Sequence, residues 1–186
     1  VLISGRGSNM RALLAGTGYE VVLVIANRAD AAGLAFARAA GVQAVVIESK
    51  PFGRDREAHE RVIQAALVEA GVQIVCLAGY MRLLTPYLVG EWAGRMLNIH
   101  PSLLPAYPGL DTHARVLAAG ETRHGCTVHL VTEIMDEGPI LAQAEVPVLP
   151  GDDEDSLAAR VLAQEHVLYP AALAAYAAKL GLPEGA

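Results

Sequence analysis

Cysteine, positive charge and long apolar runs are scarce in this sequence. Its two cysteines, Cys76 and Cys126, sit in the strand-like runs "QIVCLAG" and "HGCTVHL". That count, without a CxxC spacing, excludes a disulfide framework and fits buried free thiols in a reducing compartment, so a cytoplasmic location is expected. No stretch reaches the roughly 18 uninterrupted apolar residues of a membrane span, and no basic start leads into an apolar segment with a cleavage site. Val1 already lies inside a strand pattern, so one or more residues before it are expected. With 14 basic against 20 acidic residues the net charge is −6, and no overall field draws the protein to nucleic acid or an anionic membrane. Any anion must be held locally. Internal repeats, low-complexity tracts and linkers are also missing.

What is present points to a packed globule. The 186 residues are 53% apolar and only 18% charged, the size and composition of one domain, 1–186. Short runs rich in β-branched residues, "VLIS" (1–4), "EVVLVIAN" (20–27), "QAVVIES" (43–49), "QIVCLAGY" (73–80) and "RMLNIH" (95–100), read as buried parallel strands. Helical spacing appears between most of them, in "NMRALLAG", "ADAAGLAFARAAG" and "RDREAHERVIQAALVEAG". This alternation predicts an open α/β sheet with helices on both faces. After residue 120, "HGCTVHLVTE" and "PILAQAEVPVLP" lie too close for a crossover helix and are expected to pair as an antiparallel hairpin. A helix over 153–180 closes the chain, with Pro170 expected to kink or divide it.

Three segments carry candidate chemistry. "SGRGSNM" (4–10) follows the first strand and opens a helix, so the backbone at Gly5 and Gly7, with Ser8 and Asn9, can cradle a monophosphate. Met10 stands where a dinucleotide fingerprint needs glycine, and the plainer alternative is a turn that packs helix on strand. In "NIHPSLLPAYPGLDTH" (98–113), strand periodicity puts Asn98 and His100 on one face, two donors for one oxygen, and Pro101, Pro105 and Pro108 stiffen the loop that follows. A histidine satisfied by backbone groups is the alternative. In "HGCTVHLVTEIMDEGPI" (124–140), Thr127, His129 and Val131 share a face, and Asp136 precedes a turn glycine. Carried to the same sheet edge, its carboxylate would hold the His100 imidazole in a charged, donating form.

His100, His113 and His129 with Asp136 supply metal-ligand types but no metal-binding spacing, and no metal is expected. Arg6, Arg11 and Arg160 read as solvated helix faces, whereas Arg56 and Arg82 flank strand ends and can meet a carboxylate or phosphate. Met81, Leu83 and Leu84 suit either a slot for a flat ring or ordinary core packing.

The segments "SGRGSNM", "LAGYMRLLTP", "LNIHPSLLPAYPGLDTH", "HGCTVHLVTEIMDEGPI" and "QEHVLYP", in this order and spacing, resemble the phosphoribosylglycinamide formyltransferase family, folate-dependent GAR transformylases of purine synthesis. NxHPSLLP alone is shared with methionyl-tRNA formyltransferase and formyltetrahydrofolate hydrolase; "YPGLDTH" and the first loop narrow the resemblance to the glycinamide ribonucleotide branch. It implies an open, Rossmann-like, mostly parallel α/β sheet with an antiparallel C-terminal hairpin, divided into a phosphate-binding half (1–100) and a folate and catalytic half (101–186). It also implies formyl transfer from 10-formyltetrahydrofolate to glycinamide ribonucleotide without a metal, by a monomer or homodimer. The catalytic set would be Asn98, His100 and Asp136. Glycinamide ribonucleotide would meet Gly7, Ser8, Asn9, Leu162, Ala163, Gln164 and Glu165. Folate would meet Arg56, Met81, Arg82, Leu83, Leu84, Asn98 and the loop Thr132, Glu133, Ile134, Met135, Asp136. The position of Asp111 can hold other polar residues in relatives.

Overall fold

The computed structural model describes residues 1–182. Seven strands form one sheet: β1 (Leu2–Ile3), β2 (Leu23–Ala26), β3 (Gln43–Val46), β4 (Val75–Leu77), β5 (Met96–His100), β6 (Arg123–Leu130) and β7 (Ile140–Pro147). Across the sheet they run β3-β2-β1-β4-β5-β6-β7. The first five are parallel and β6 is antiparallel to both of its neighbours, as the alternation and the short connection after β6 require. The helices among the described residues are α1 (Ser8–Leu14), α2 (Gly33–Ala39), α3 (Arg56–Glu69), α4 (Pro86–Glu91), α5 (Thr112–Ala118) and α6 (Glu154–Lys179), with a 3₁₀ turn at Lys50–Phe52. None is long and apolar enough to cross a membrane.

Strand alternation divides the apolar side chains between two cores. Ile3, Val24, Ala26, Cys76, Leu97 and Ile99 pack with residues of α1, α2 and α6 on one face. Leu2, Leu23, Ile25, Val75, Leu77 and Met96 pack with Ile63 and Leu67 of α3 and Leu88 of α4 on the other. Each buried Val, Leu, Ile or Met among them contributes about 1.5–3 kcal/mol. Both cysteines are free and buried, and burial pushes the Cys76 thiol up to about 11.

Differences from the sequence reading have local causes. The strands are shorter than their apolar runs because a ladder ends where its neighbour ends, and β1 offers only Leu2 and Ile3 to β2. α4 and α5 were not expected, because Pro86 opens α4 and α5 follows the proline-rich segment 101–109, and prolines read as loop markers although one is compatible with a helix's first turn. α6 runs through Pro170 without a break. A proline removes one helical hydrogen bond, and the helix is held from outside that turn, since the Tyr169 hydroxyl donates to the Leu77 and Leu97 carbonyls at 3.0 and 3.1 Å. At its start, Asp153 and Ser156 form a capping box and Arg160 grips Asp152 at 2.6 and 2.8 Å. That grip holds the Asp152 carboxyl well below the usual range.

β1 and β4 are neighbours although far apart in sequence, so the chain leaves them in opposite directions and opens a crevice at their C-terminal ends. Ser4 bridges it: its N–H donates to the Gly79 carbonyl at 3.2 Å, and its hydroxyl accepts from the Met81 N–H at 2.8 Å.

Candidate active site

Met96, Asn98 and His100 alternate along β5, and Thr127 and His129 face the same way on β6, because the antiparallel register sets Asn98 against His129 and His100 against Thr127. The sequence put Asn98 and His100 together; the cross-strand partners come from the register. Beyond Val128 the β6–β7 register slips by one residue, Val128 facing Ala142 and His129 facing Ile140, a bulge at the level of the site.

Two loops close over this face. Asp136 comes from the loop after β6, and its Oδ2 lies 3.5 Å from His100 Nδ1 and accepts from the Gly109 N–H at 2.8 Å. The other ring nitrogen of His100, Nε2, lies 3.0 Å from the Tyr107 carbonyl oxygen. Both nitrogens therefore face acceptors, and the doubly protonated imidazolium is the form that satisfies both. Asp136 Oδ1 lies 3.8 Å from His129 Nε2. The side chains of His100 and Asp136 are only 7% and 8% exposed, which strengthens their electrostatic interaction. The non-glycine residues with positive φ among the described residues, Tyr107 (55°), Asp111 (55°) and Asp136 (58°), all lie in these two loops. Backbone strain of about 1–3 kcal/mol each is thus concentrated where the Tyr107 carbonyl and the Asp136 carboxylate are aimed. Gly138 allows the return toward β7, since a Cβ there would lie 1.7 Å from the Leu130 carbonyl oxygen.

The glycine loop lies across the crevice. Gly7 has φ 71°, Ser8 opens α1, and buried Asn9 donates from Nδ2 to Glu165 Oε2 at 2.7 Å. Burial raises the Glu165 carboxyl while the Asn9 bond lowers it. Of the α6 residues expected at this end, only Glu165 is buried; Leu162 is half-buried, and Ala163 and Gln164 are exposed. Asn9 Oδ1 is buried without a partner, a free acceptor beside the loop.

The residues expected to meet folate lie on the rim. Met81, Leu83, Ile134 and Met135 are 71%, 61%, 61% and 55% exposed and so open to an apolar ligand. Leu84 instead packs against the second core. Arg56 donates to the Leu83 carbonyl and Arg82 to the Gly53 carbonyl, each at 3.3 Å, so each arginine ties its own segment to the opposite one. The Thr132 hydroxyl donates to the Ile134 carbonyl at 3.1 Å, and Glu133 is exposed.

Sequence reasoning gave no role to His129, to the Tyr107 carbonyl or to the Gly109 N–H. The periodicity of β6 signalled the face of His129, but backbone groups leave no mark in residue type.

Behind the 101–111 loop, His113 Nδ1 meets His124 Nε2 at 3.0 Å. One nitrogen donates and the other must keep its lone pair, so a doubly charged pair loses this bond. Burial first, then the His113 and His100 charges, pushes His124 down to about 4; burial also lowers His113, against Glu154. An unfolded histidine titrates near 6.5, so the unfolded chain takes up the proton first on acidification. Stability is therefore lost as pH falls from about 6.5 toward 4, by at most about 3 kcal/mol from His124. Urea unfolding across this range should show that loss in the wild type and a shallower one in His124→Gln; equal slopes would exclude the pair as its source.

The formyl transferase family matches residues 1–173. A trifunctional purine biosynthetic protein adenosine-3 of Drosophila pseudoobscura pseudoobscura is 49% identical over 94% of this chain, which spans only 13% of that protein's length. The phosphoribosylglycinamide formyltransferase of Escherichia coli K12 is 44% identical over 95% of this chain and 85% of its own. Among solved structures, the phosphoribosylglycinamide formyltransferase of Brucella melitensis superposes with a TM-score of 0.90 at 56% identity, over 95% of this chain and 93% of that one.

Proposed function

We propose that this chain, which belongs to the formyl transferase family, transfers the formyl group of 10-formyltetrahydrofolate to the primary amine of glycinamide ribonucleotide. The observation that carries the reading is the buried contact of Asp136 with His100, Oδ2 to Nδ1 at 3.5 Å, on the face that also carries Asn98. The amine attacks the formyl carbon. As the tetrahedral intermediate forms, the Asn98 amide donates to its oxyanion and the positive charge of His100, whose two N–H groups stay on Asp136 and the Tyr107 carbonyl, stabilises it through space; stabilisation gained there and not in the ground state lowers the barrier. When the intermediate collapses, the bond from carbon to the folate nitrogen breaks, the amine gives up a proton and the folate nitrogen gains one. Asp136 supports the charge on His100 and relays that proton through water.

The remaining work is positioning. The glycine loop, Gly7, Ser8 and Asn9, takes the phosphate end, and Glu165 orients the ribose or glycinamide end. The exposed apolar rim of Met81, Leu83, Ile134 and Met135 takes the flat folate ring, and Arg56 and Arg82 are the cations available to its carboxylate tail.

Mixing the protein with 10-formyltetrahydrofolate and glycinamide ribonucleotide and following folate absorbance tests the reading. Turnover that needs the ribonucleotide supports it. Formyl release at the same rate without the acceptor would make the protein a hydrolase, and no turnover at all would refute the proposal.

Gly33 supplies an independent check on the phosphate end. A Cβ there would lie 2.7 Å from Ile3 Cδ1, 3.2 Å from Gly7 Cα and 3.3 Å from the Gly5 carbonyl oxygen, so the Ile3 side chain must shift and the glycine loop must give by a few tenths of an ångström. Gly33→Ala is expected to raise KM for glycinamide ribonucleotide by about tenfold, with a smaller change in kcat and a loss of about 1–3 kcal/mol in stability. Initial rates at varied ribonucleotide, with thermal melts, read both quantities.

A further inference from the structure

Asn98 is useful to an oxyanion only if its amide presents the NH2 group. The carbonyl end of the same side chain would repel the developing charge, and the two ends differ by a simple rotation that strand geometry does not forbid. Something must choose between them.

The choice is made across the sheet. His129 Nδ1 lies 3.0 Å from the Leu130 carbonyl oxygen, which can only accept, so Nδ1 carries the proton and Nε2 is left with its lone pair. That lone pair faces Asn98 Nδ2 at 3.2 Å. We infer that His129 is a positioning residue: its Nε2 accepts one amide N–H of Asn98, fixing the NH2 end on the side of His129 and Asp136 and leaving the second N–H for the oxyanion. The inference rests on the formyl-transfer reading and adds a residue to it.

The surroundings favour the neutral ring. His129 is 2% exposed, and burial lowers its affinity for a proton more than Asp136 and the Leu130 carbonyl raise it, with the His100 charge acting in the same sense as burial. A charged His129 would point an N–H at Asn98 and select the wrong end of the amide. The unbroken β5–β6 register places the ring opposite Asn98, while on the other edge of β6 the ladder with β7 slips by one residue at the same level.

A double-mutant cycle on the full chain tests this, with wild type measured in parallel for transfer to glycinamide ribonucleotide. His129→Leu is expected to lower kcat about tenfold to a hundredfold with little change in either KM, because the lost interaction is made in the transition state. In an Asn98→Ala background the same change is expected to cost less than about threefold, since His129 acts through Asn98. His129→Gln, whose amide oxygen can accept the same N–H, should keep more than about a fifth of wild-type kcat. Thermal melts check folding, and His129→Phe replaces leucine in the cycle if leucine does not fold. Effects that multiply fully in the double variant, or glutamine as damaging as leucine, overturn the role of His129. A wild type without transfer activity instead overturns the functional reading.

Discussion

His100→Ala is expected to lower kcat for formyl transfer by about a hundredfold to a thousandfold while the affinity for glycinamide ribonucleotide stays near that of the wild type. In the proposed mechanism the positive charge of His100 stabilises the oxyanion, with its Nδ1 held by Asp136 at 3.5 Å and its Nε2 by the Tyr107 carbonyl at 3.0 Å. Alanine removes that charge and leaves the proposed ribonucleotide end untouched, because Gly7, Ser8, Asn9 and Glu165 lie across the crevice at the start of α1 and on α6. The loop should survive the change. The Tyr107 carbonyl keeps a second donor, the Ser102 hydroxyl at 3.1 Å, and that hydroxyl also donates to the Ala106 carbonyl at 2.7 Å. Steady-state rates and a calorimetric titration with the ribonucleotide separate the two effects. A variant retaining most of its rate would mean that the oxyanion is held elsewhere.

Asp136→Asn should be at least as damaging to kcat, about a hundredfold or more, for a different reason. Asparagine tolerates the left-handed backbone that Asp136 adopts at φ 58°, and its amide oxygen can still accept the Gly109 N–H, so the loop keeps its shape. What disappears is the charge beside His100 and the group that would pass the proton. Asp136→Ala adds the cost of an L side chain in the left-handed region, about 1–2 kcal/mol. Equal losses of kcat in the two variants, with a lower melting temperature only for alanine, would assign the catalytic effect to the charge. If the asparagine variant turned over normally, the carboxylate would have no part in the reaction.

Much of this was legible along the chain. A period of two put Asn98 and His100 on one face, and apolar runs separated by helical spacing gave the parallel strands. The short link between "HGCTVHLVTE" and "PILAQAEVPVLP" forced the antiparallel end, seen as β6 and β7. The glycines of "SGRGSNM" marked the loop that opens α1. Other features left little trace. α5 follows a proline-rich segment that reads as loop, and Pro170, which by itself argues for a break, lies in a helix anchored by Tyr169 to two strands.

The sequence by itself determined which side chains can donate, accept or carry charge, and which neighbours on one strand share a face, because backbone geometry repeats over a few residues. Only the tertiary structure decided that Asp136 reaches His100, that His129 lies opposite Asn98, and that the Tyr107 carbonyl and the Gly109 N–H complete the site. Those contacts depend on the register of β5 against β6 and on the paths of two loops. Both are settled by how the whole sheet buries its two apolar faces, and no local pattern encodes them.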